Sequence, residues 1–274
     1  GVNTSTATTA ENAVALGFKA QANGTDTIAI GTQAKAIGNT SNTIVIGNTS
    51  TSTDNKGSLI FGNGNTSSGN TEIVQIGSGN TADTSVAVAS IGGLNRTSAS
   101  FTSSIIGINN SLTASSNSSI TGINNNVAGS IAINVSGVNN NITSSTNNSI
   151  IGNNNTLTSG TNNIIAGFDN KLGSGLNQTQ VLGSQITIDK DVTYAIAVGS
   201  GSKVTQNGAV TLGANAVASQ IGSVAIGANS VASTASGIDG YVPSNATQAQ
   251  KNAIDVTKST ASAVSVGDAS NGLY

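Results

Sequence analysis

A glycine that closes a short apolar run returns every 14 to 16 residues, and this period constrains the fold more than any other feature. Its fourteen intervals cover 210 residues, a mean of 15. A short period repeated this often is typical of a solenoid, in which each coil gains stability by stacking on its neighbours. The glycines are Gly17, Gly31, Gly47, Gly62, Gly77, Gly93 (or equally Gly92), Gly107, Gly122, Gly137, Gly152, Gly167, Gly183, Gly199, Gly213 and Gly227.

The residues before each glycine predict a short strand. In Ile28-Ala29-Ile30 the two isoleucines point to one face of that strand and the alanine points to the other. Both faces are apolar in most repeats, which indicates a strand that is covered on both sides. One face fills the interior of the coil, and we expect a second subunit to cover the other. The residues predicted for this core or subunit-contact strand are Val14, Leu16, Ile28, Ile30, Ile44, Ile46, Ile150, Ile165, Val210, Leu212, Val224 and Ile226.

The glycine is predicted to form the tight corner after this strand, where a Cβ would clash or a positive φ is needed. The predicted turn glycines are Gly17, Gly31, Gly107, Gly122, Gly137, Gly152, Gly167, Gly213 and Gly227. A second strand is expected five residues later, at Ala22, Ala36, Leu112, Val127, Ile142, Leu157, Leu172, Val204, Ala218 and Ala232. Two strands and two turns per period predict an all-β fold, a parallel β-roll or β-solenoid of about 15 coils.

The composition excludes several classes of protein. With 36% hydrophobic and 7% charged residues, the chain lacks the signature of disorder, which is high charge with low hydrophobicity. A net charge of −2 gives no electrostatic reason to expect nucleic acid or an anionic membrane as a partner. Cysteine is absent, which removes disulfides and thiolate metal sites. No apolar run approaches the roughly 18 residues of a membrane span.

The sequence offers little for catalysis, because histidine is absent and the 11 acidic residues are scattered. Asp189 and Asp191 would share one face of an extended strand, where they could bind a cation or act as a glycosidase-like pair. We favour a solvated turn beside Lys190. The calcium-binding nonapeptide and the P-loop signature are absent. We therefore predict no enzyme activity, no cofactor and no metal site.

Asparagine pairs mark the middle of the chain, at Asn109/Asn110, Asn124/Asn125, Asn139/Asn140 and Asn154/Asn155. We expect them to stack in register, because asparagine ladders hydrogen-bond along a stack and tolerate left-handed turns. This structural role is favoured over a polar ladder that recognises a glycan or a protein. The residues that interrupt the pattern are candidate receptor contacts, and they are Arg96, Phe101, Phe168 and Asp169.

The pattern x-V-A-I-G-x-x-A/S-x-A resembles the YadA-like head of the trimeric autotransporter adhesins of Gram-negative bacteria. It is clearest from Thr27 to Ala36, from Ala209 to Ala218 and from Ser223 to Ala232. The stretch AVSVGD, from Ala263 to Asp268, looks like the related repeat that precedes the neck in this family. The resemblance implies a left-handed roll, three identical chains around one axis and a fibre exported by type V secretion.

The same resemblance implies a function at the bacterial cell surface, anchored in the outer membrane through a C-terminal segment absent from this chain. The expected role is virulence-related attachment to host surface proteins or matrix, with autoaggregation as a further possibility. Implied partners are collagen, fibronectin, laminin or carcinoembryonic-antigen-related cell adhesion molecules. The alternative is a β-solenoid that binds carbohydrate or degrades polysaccharide. An ice- or mineral-binding solenoid is disfavoured, since no threonine keeps one offset through many coils.

Three segments are expected along the chain. Residues 1–236 are predicted to form the β-roll head, with Asn-rich coils at about 90–183. Residues 237–262 resemble the head-insert motif of the family, and Asn245 or Thr247 could cap a helix there that runs to about Lys258. Residues 263–274 are expected to be a last roll repeat that leads to a neck absent from this chain.

Overall fold

The computed structural model describes residues 4–6 and 10–267 of the chain. It confirms the predicted fold class, because these residues form an all-β parallel β-solenoid of about 15 coils with one short helix near its C-terminal end. The chain divides into two compact units between Ile150 and Ile151. In each unit, every coil contributes strands to two parallel sheets.

The strand before the turn glycine belongs to one sheet, which we call the glycine sheet. Its strands carry even numbers: β2 (Val14–Leu16), β4 (Ile28–Ile30), β6 (Ile44–Ile46), β8 (Leu59–Asn63), β10 (Val74–Ser78), β12 (Val86–Gly93), β14 (Phe101–Ile108), β16 (Ser119–Ile123), β18 (Ile131–Val138), β20 (Thr146–Asn153), β22 (Ile164–Phe168), β24 (Gln180–Ser184), β26 (Ile196–Val198), β28 (Val210–Leu212), β30 (Val224–Ile226) and β32 (Val264–Val266).

The strand after the turn belongs to the other sheet, which we call the companion sheet. Its strands carry odd numbers: β1 (Ser5–Thr6), β3 (Gln21–Ala22), β5 (Lys35–Ile37), β7 (Thr51–Thr53), β9 (Thr66–Ser68), β11 (Thr81–Asp83), β13 (Arg96–Ser98), β15 (Ser111–Thr113), β17 (Asn126–Ala128), β19 (Asn141–Thr143), β21 (Thr156–Thr158), β23 (Lys171–Leu172), β25 (Thr187–Ile188), β27 (Lys203–Val204), β29 (Val217–Ala218) and β31 (Val231–Ala232).

Each strand pairs in parallel with the strand one repeat away, so that equivalent residues form columns along the stack. In the first unit, the pairing of β8, β10 and β12 places Gly62, Gly77 and Gly92 in one column. Gly107 continues this column opposite Gly92. Gly92, rather than its neighbour Gly93, is therefore the turn glycine of its coil.

The interior of each coil is filled by the residue two positions before the turn glycine. In the YadA-like repeats this residue is small, as with Ala29 and Ala225, and in the Asn-rich coils it is large, as with Ile105 and Ile120. All four side chains are fully buried. Since side chains alternate along a strand, the residues on either side of this position point out of the roll.

The twelve residues predicted for the core or subunit-contact strand therefore lie on two different faces. Ile150 and Ile165 occupy the interior position and are buried. The other ten flank that position and point outward: Val14, Leu16, Leu212 and Ile226 are exposed, and Ile28, Ile30, Ile44, Ile46, Val210 and Val224 are half-buried. The prediction assigned all twelve residues to equivalent positions of the strand. In the Asn-rich repeat, however, the first isoleucine of the strand lies at the interior position, which alanine occupies in the YadA-like repeat.

The companion sheet supplies the facing half of the interior. The residues expected five positions after the glycine are buried at Ala22, Ala36, Leu112, Val127, Ile142, Leu157, Val204, Ala218 and Ala232. Leu172 is the exception and is half-buried. Small residues on one sheet meet small residues on the other in the YadA-like coils, and large residues meet large ones in the Asn-rich coils.

Thr211 occupies the interior position of its coil, fully buried, and its hydroxyl has no hydrogen-bond partner among the described residues. A buried hydroxyl without a partner costs about 1–3 kcal/mol. We expect Thr211→Val, which keeps the shape of the side chain, to raise the free energy of unfolding by about 1 kcal/mol, measured by urea denaturation. Ser130→Ala is the matched control and is expected to be destabilising, because the Ser130 hydroxyl donates to Ala128 and accepts from the Ser145 amide. A loss of stability in Thr211→Val would contradict the prediction.

The segment between β31 and β32 leaves the roll and returns to it. Its helix α1 (Gln248–Asp255) begins after Thr247, one of the two predicted caps, which forms a capping box with Gln250. The helix ends three residues before Lys258, and none of its residues is buried. After it, β32 pairs with β30 in the second unit. The predicted last repeat is thus described as far as residue 267, and residues 268–274 lie outside the described residues.

Lys258 links the two ends of this inserted segment. Its Nζ atom lies 2.6 Å from Asp255 Oδ1 and 3.4 Å from Asp239 Oδ1. The hydrogen bond and positive charge of Lys258 lower the pKa of Asp255, and Asp255 in turn raises the pKa of Lys258. Because all three side chains are exposed, water and salt screen these ion pairs, and they fasten the segment only weakly.

Candidate functional site

The turn glycines form a column in which a side chain has no room. Gly107 and Gly122 have φ angles of +139° and +135°, a region that L-residues rarely adopt. A Cβ on Gly107 would overlap the carbonyl oxygen of Gly122, and one on Gly122 would overlap that of Gly137. All nine predicted turn glycines have a positive φ. The recurrence of glycine once per coil therefore reflects the close stacking of each glycine on the backbone of the next coil, in addition to the positive φ of the turn.

A column of buried asparagines supports this glycine column from inside. Asn125 Nδ2 donates to the carbonyl oxygen of Gly137 at 2.7 Å and to Asn110 Oδ1 at 3.0 Å. Asn125 Oδ1 accepts from both the backbone amide and the side-chain amide of Asn140, each at 3.0 Å. Asn95 makes the same bond to the carbonyl of Gly107. Each asparagine thus bridges three coils of the first unit.

The two members of each asparagine pair have different roles. The second member, such as Asn110 or Asn125, is buried and belongs to the column just described. The first member, such as Asn109 or Asn124, is exposed and has a φ near +55°. Asparagine tolerates this left-handed conformation better than most residues. The predicted structural role therefore accounts for the second member of each pair. First members also bond to each other along the stack, since Asn109 Nδ2 donates to Asn124 Oδ1 at 2.8 Å.

The outer face of the glycine sheet is apolar over most of each unit, and we call its residues the apolar stripe. In the first unit they are Val14, Leu16, Ile28, Ile30, Ile44, Ile46, Leu59, Phe61, Val74, Ile76, Ile91 and Ile106. In the second unit they are Ile151, Ile164, Leu182, Ile196, Val198, Val210, Leu212, Val224, Ile226, Val264 and Val266. Exposed fractions reach 56% at Leu16 in the first unit and 65% at Val264 in the second. In the second unit Gln180 interrupts one column between Ile164 and Ile196. An apolar face of this length is typical of a surface that binds protein.

The stripe of the first unit ends in polar residues, which we call the polar island. It consists of Ser104, Ser119, Thr121, Asn134 and Ser136. These side chains continue the same two outward columns, and Ser104 Oγ donates to Ser119 Oγ at 3.2 Å. The island is therefore a change of chemistry within one continuous face rather than a separate surface.

The outer face of the companion sheet is polar. In the first unit it presents mainly threonine, serine and asparagine, as at Thr53, Ser68 and Asn126. In the second unit it contains a cleft of about 600 Å³, whose lining includes Asp169, Lys171, Thr187, Asp189 and Lys190. The carboxylates, amines and threonine hydroxyl of this lining offer donors and acceptors to a polar ligand.

The predicted receptor contacts are all exposed, but they do not form one surface. Arg96 lies on the outer face of the companion sheet, while Phe101 is the first residue of β14 in the glycine sheet, where it pairs with Val86. Phe168 lines a depression of about 390 Å³ with the stripe residues Ile151 and Leu182.

Asp169 follows Phe168 in sequence but lies in the charged cleft, where its Oδ1 accepts from Asn154 Nδ2 at 2.9 Å. The predicted contact point at this coil is therefore divided between an apolar surface and a polar one.

The acidic pair weighed for catalysis does not lie on an extended strand. Asp189 follows the end of β25, and Lys190 and Asp191 form a turn in which Asp191 has a φ of +59°. The two carboxylates therefore lack the shared strand face on which that hypothesis depended. Within residues 4–6 and 10–267, no three acidic side chains come together as a metal site, and no helix there has the length and apolar character to cross a membrane.

Comparison with known proteins identifies four stretches that match the family model of the YadA head domain repeat (2 copies): residues 9–34, 193–216, 208–230 and 218–239. They coincide with coils whose interior position holds a small residue, such as Ala29 or Thr211. The predicted resemblance is confirmed for these repeats. A search of curated proteins finds no match.

Proposed function

We propose that this chain, which carries YadA head domain repeats in both of its units, is the head of a trimeric adhesin displayed on a bacterial cell surface. The repeats support an adhesin-type function, and the observation that carries the proposal further is the apolar stripe. A soluble solenoid needs no apolar residues on its outer face. A solenoid that meets further copies of itself along one face does need them.

In the proposed trimer, three copies turn their apolar stripes toward a common axis. The stripe residues of the first unit form two columns, one through Leu16, Ile30 and Ile46 and the other through Val14, Ile28 and Ile44. No charged side chain interrupts either column from Val14 to Ile106. Burial of these branched side chains would supply the association free energy, at roughly 25 cal/mol per Å² of apolar surface.

The companion sheet and the corners would then form the outer surface of the head. Each contact on that surface is presented three times, so individually weak contacts gain avidity. Host surface proteins or matrix proteins, among them collagen, fibronectin, laminin and carcinoembryonic-antigen-related cell adhesion molecules, are the proposed partners. Autoaggregation, type V secretion and anchoring in the outer membrane through a further C-terminal segment belong to the same proposal. The head acts by binding and carries out no catalysis.

Ile46→Asp tests the trimer. The aspartate would place three carboxylates against the apolar stripe, and burying an unpaired ion costs several kcal/mol. We expect the dissociation midpoint of the trimer to rise at least about a hundredfold in concentration, measured by analytical ultracentrifugation. Thr53→Asp, on the outer face of the companion strand of the same coil, is the matched control and should remain trimeric. Asp83 already occupies that column two coils along. A wild-type chain that sediments as a monomer at micromolar concentration would contradict the proposed trimer.

Adhesion is tested by binding of the wild-type trimer to immobilised host matrix proteins and to host cells. Because avidity contributes a factor of about 10²–10⁴, the dissociated Ile46→Asp chain should bind far more weakly than the trimer. Serine substitutions at Arg96, Phe101, Phe168 and Asp169, made one at a time, then locate the contact surface. Trimers that bind no host surface and instead cleave a polysaccharide would contradict the adhesin function.

Recognition of a saccharide is the second candidate, and the charged cleft of the second unit is the observation that favours it. Hydroxyl groups of a sugar can donate to Asp169 and Asp189 and accept from Lys171 and Lys190. A glycan-binding measurement on the wild-type trimer and on Lys171→Ala separates this candidate from protein adhesion. Binding that depends on Lys171 would favour the saccharide.

A further inference from the structure

The repetition of the apolar stripe leaves the axial register between two associated copies poorly determined. From Val14 to Ile76 each coil of the first unit presents an apolar pair, so a copy displaced by one coil would still meet apolar side chains there. The displacement is about 4.8 Å along the stack. It would sacrifice the contacts of one terminal coil out of about 15. A uniform stripe therefore specifies that the copies associate but only weakly specifies their axial register.

The polar island makes the in-register arrangement of the copies differ in energy from arrangements that are displaced by one coil. Ile91 and Ile106 are followed in the same column by Thr121 and Ser136, and Ser104 is followed in the other column by Ser119 and Asn134. When copies are in register, each island faces the islands of the other copies. Hydroxyl and amide groups can then donate to and accept from one another across the interface.

A displacement of one coil would place Thr121 of one copy against Ile106 of the next. Its hydroxyl would then be buried against an apolar partner and lose its hydrogen bonds. Buried polar groups without partners are costly, which is how a single buried polar residue fixes the register of a coiled coil. The Asn134 amide would be affected more strongly than a hydroxyl, because it has two donors and an acceptor to satisfy.

We propose that the polar island sets the axial register in which copies of this chain associate, the partner being the same island on the other copies. This inference rests on the proposed trimer. It assigns to Ser119, Thr121, Asn134 and Ser136 a positional role that differs from that of the apolar stripe. The stripe supplies the attraction, and the island selects one alignment.

The absence of cysteine from the chain allows a direct test. Ile46 and Phe61 occupy the same outward column one coil apart, in the pairing of β6 with β8. Two differently tagged chains, one with Ile46→Cys and the other with Phe61→Cys, are co-expressed and oxidised. Copies in register favour disulfides between two chains of the same kind, whereas a displacement of one coil favours mixed disulfides.

In the otherwise wild-type background we expect same-kind disulfides to exceed mixed ones about tenfold. In the island variant Ser119→Val/Thr121→Ile/Asn134→Val/Ser136→Ile, the trimer should persist and the ratio should fall toward one. The matched control replaces four outward hydroxyls of the companion sheet, Thr53, Ser68, Ser98 and Thr113, with valine, and it should keep the wild-type ratio. Asn134→Val alone should shift the ratio part of the way.

An island variant that remains trimeric and still forms almost only same-kind disulfides would overturn the proposal. An island variant that dissociates would overturn it as well, because the island would then be needed for association rather than for alignment. Sedimentation of the wild-type chain separates these outcomes from a failure of the trimer itself. A monomeric wild-type chain refutes the proposed assembly, whereas a trimeric one leaves the disulfide ratio to decide the register.

Discussion

Replacing Gly122 with alanine is expected to lower the free energy of unfolding by more than about 4 kcal/mol, a loss that few single substitutions produce. Gly122 has a φ of +135°, and an alanine Cβ there would overlap the carbonyl oxygen of Gly137 in the next coil. The neighbouring backbone cannot move away without breaking the β-ladder between β16 and β18. Because a folded domain is stable by only about 5–15 kcal/mol, much of this stability would be lost.

Gly129→Ala is the matched control for this substitution. Gly129 also has a positive φ, +59°, but a Cβ there would meet no atom closer than Ser144 Oγ at 3.9 Å. The cost should be the intrinsic left-handed penalty of about 1–2 kcal/mol. Urea unfolding followed by circular dichroism, at a fixed protein concentration, measures both variants. Equal losses at the two positions would show that the turn conformation, and not the stacking of carbonyl on glycine, explains the period.

The glycine period was sufficient to predict the number of coils and the parallel pairing. A residue that tolerates no Cβ must recur once per coil when coils stack in register, so its spacing reports the coil length directly. The spacing alone does not identify the turn glycine when two glycines are adjacent, as at Gly92 and Gly93. In the sequence Gly92 and Gly93 fit the period equally, but only Gly92 lies opposite Gly77 and Gly107.

The sequence could not predict which face of the glycine-sheet strand points inward. A strand alternates with a period of two, so Ile28-Ala29-Ile30 fits either orientation when both faces are apolar. The interior is set by the residue that it faces across the coil. Ala29 packs in a coil where the companion residues are Ala22 and Ala36, whereas Ile120 lies in a coil with Leu112 and Val127 nearby. This matching of sizes becomes visible only when both strands of a coil are placed.

The surface is the part of the candidate site that the sequence predicts least. Phe168 and Asp169 are adjacent in sequence and both interrupt the repeat, yet one lines an apolar depression and the other a charged cleft. The polar island is not recognisable from the sequence for a related reason. Thr121 and Ser136 look like ordinary members of a serine- and threonine-rich block until the register places them in the column of Ile91 and Ile106.

Asn125→Leu is expected to lower the free energy of unfolding by about 3–6 kcal/mol, because the four hydrogen bonds that the Asn125 side chain makes inside the roll are lost. The carbonyl oxygen of Gly137 loses its donor at 2.7 Å, and the backbone amide of Asn140 loses its acceptor at 3.0 Å. Asn110 Oδ1 also loses the side-chain donor of Asn125, and Asn140 Nδ2 loses its acceptor in Asn125 Oδ1. The leucine side chain has the same number of heavy atoms as that of asparagine, so we expect little gain in packing to offset the loss of four buried bonds. Urea unfolding of the variant measures the effect.

Asn126→Ala separates this effect from the general asparagine content of the block. Asn126 is the next residue, but its side chain lies on the outer face of the companion sheet and bonds only to the exposed Asn141 side chain among the contacts described, at 2.8 Å. Water can replace that bond, so its loss should cost less than about 1 kcal/mol. If Asn125→Leu proved no more destabilising than Asn126→Ala, the buried asparagine column would contribute nothing to stability.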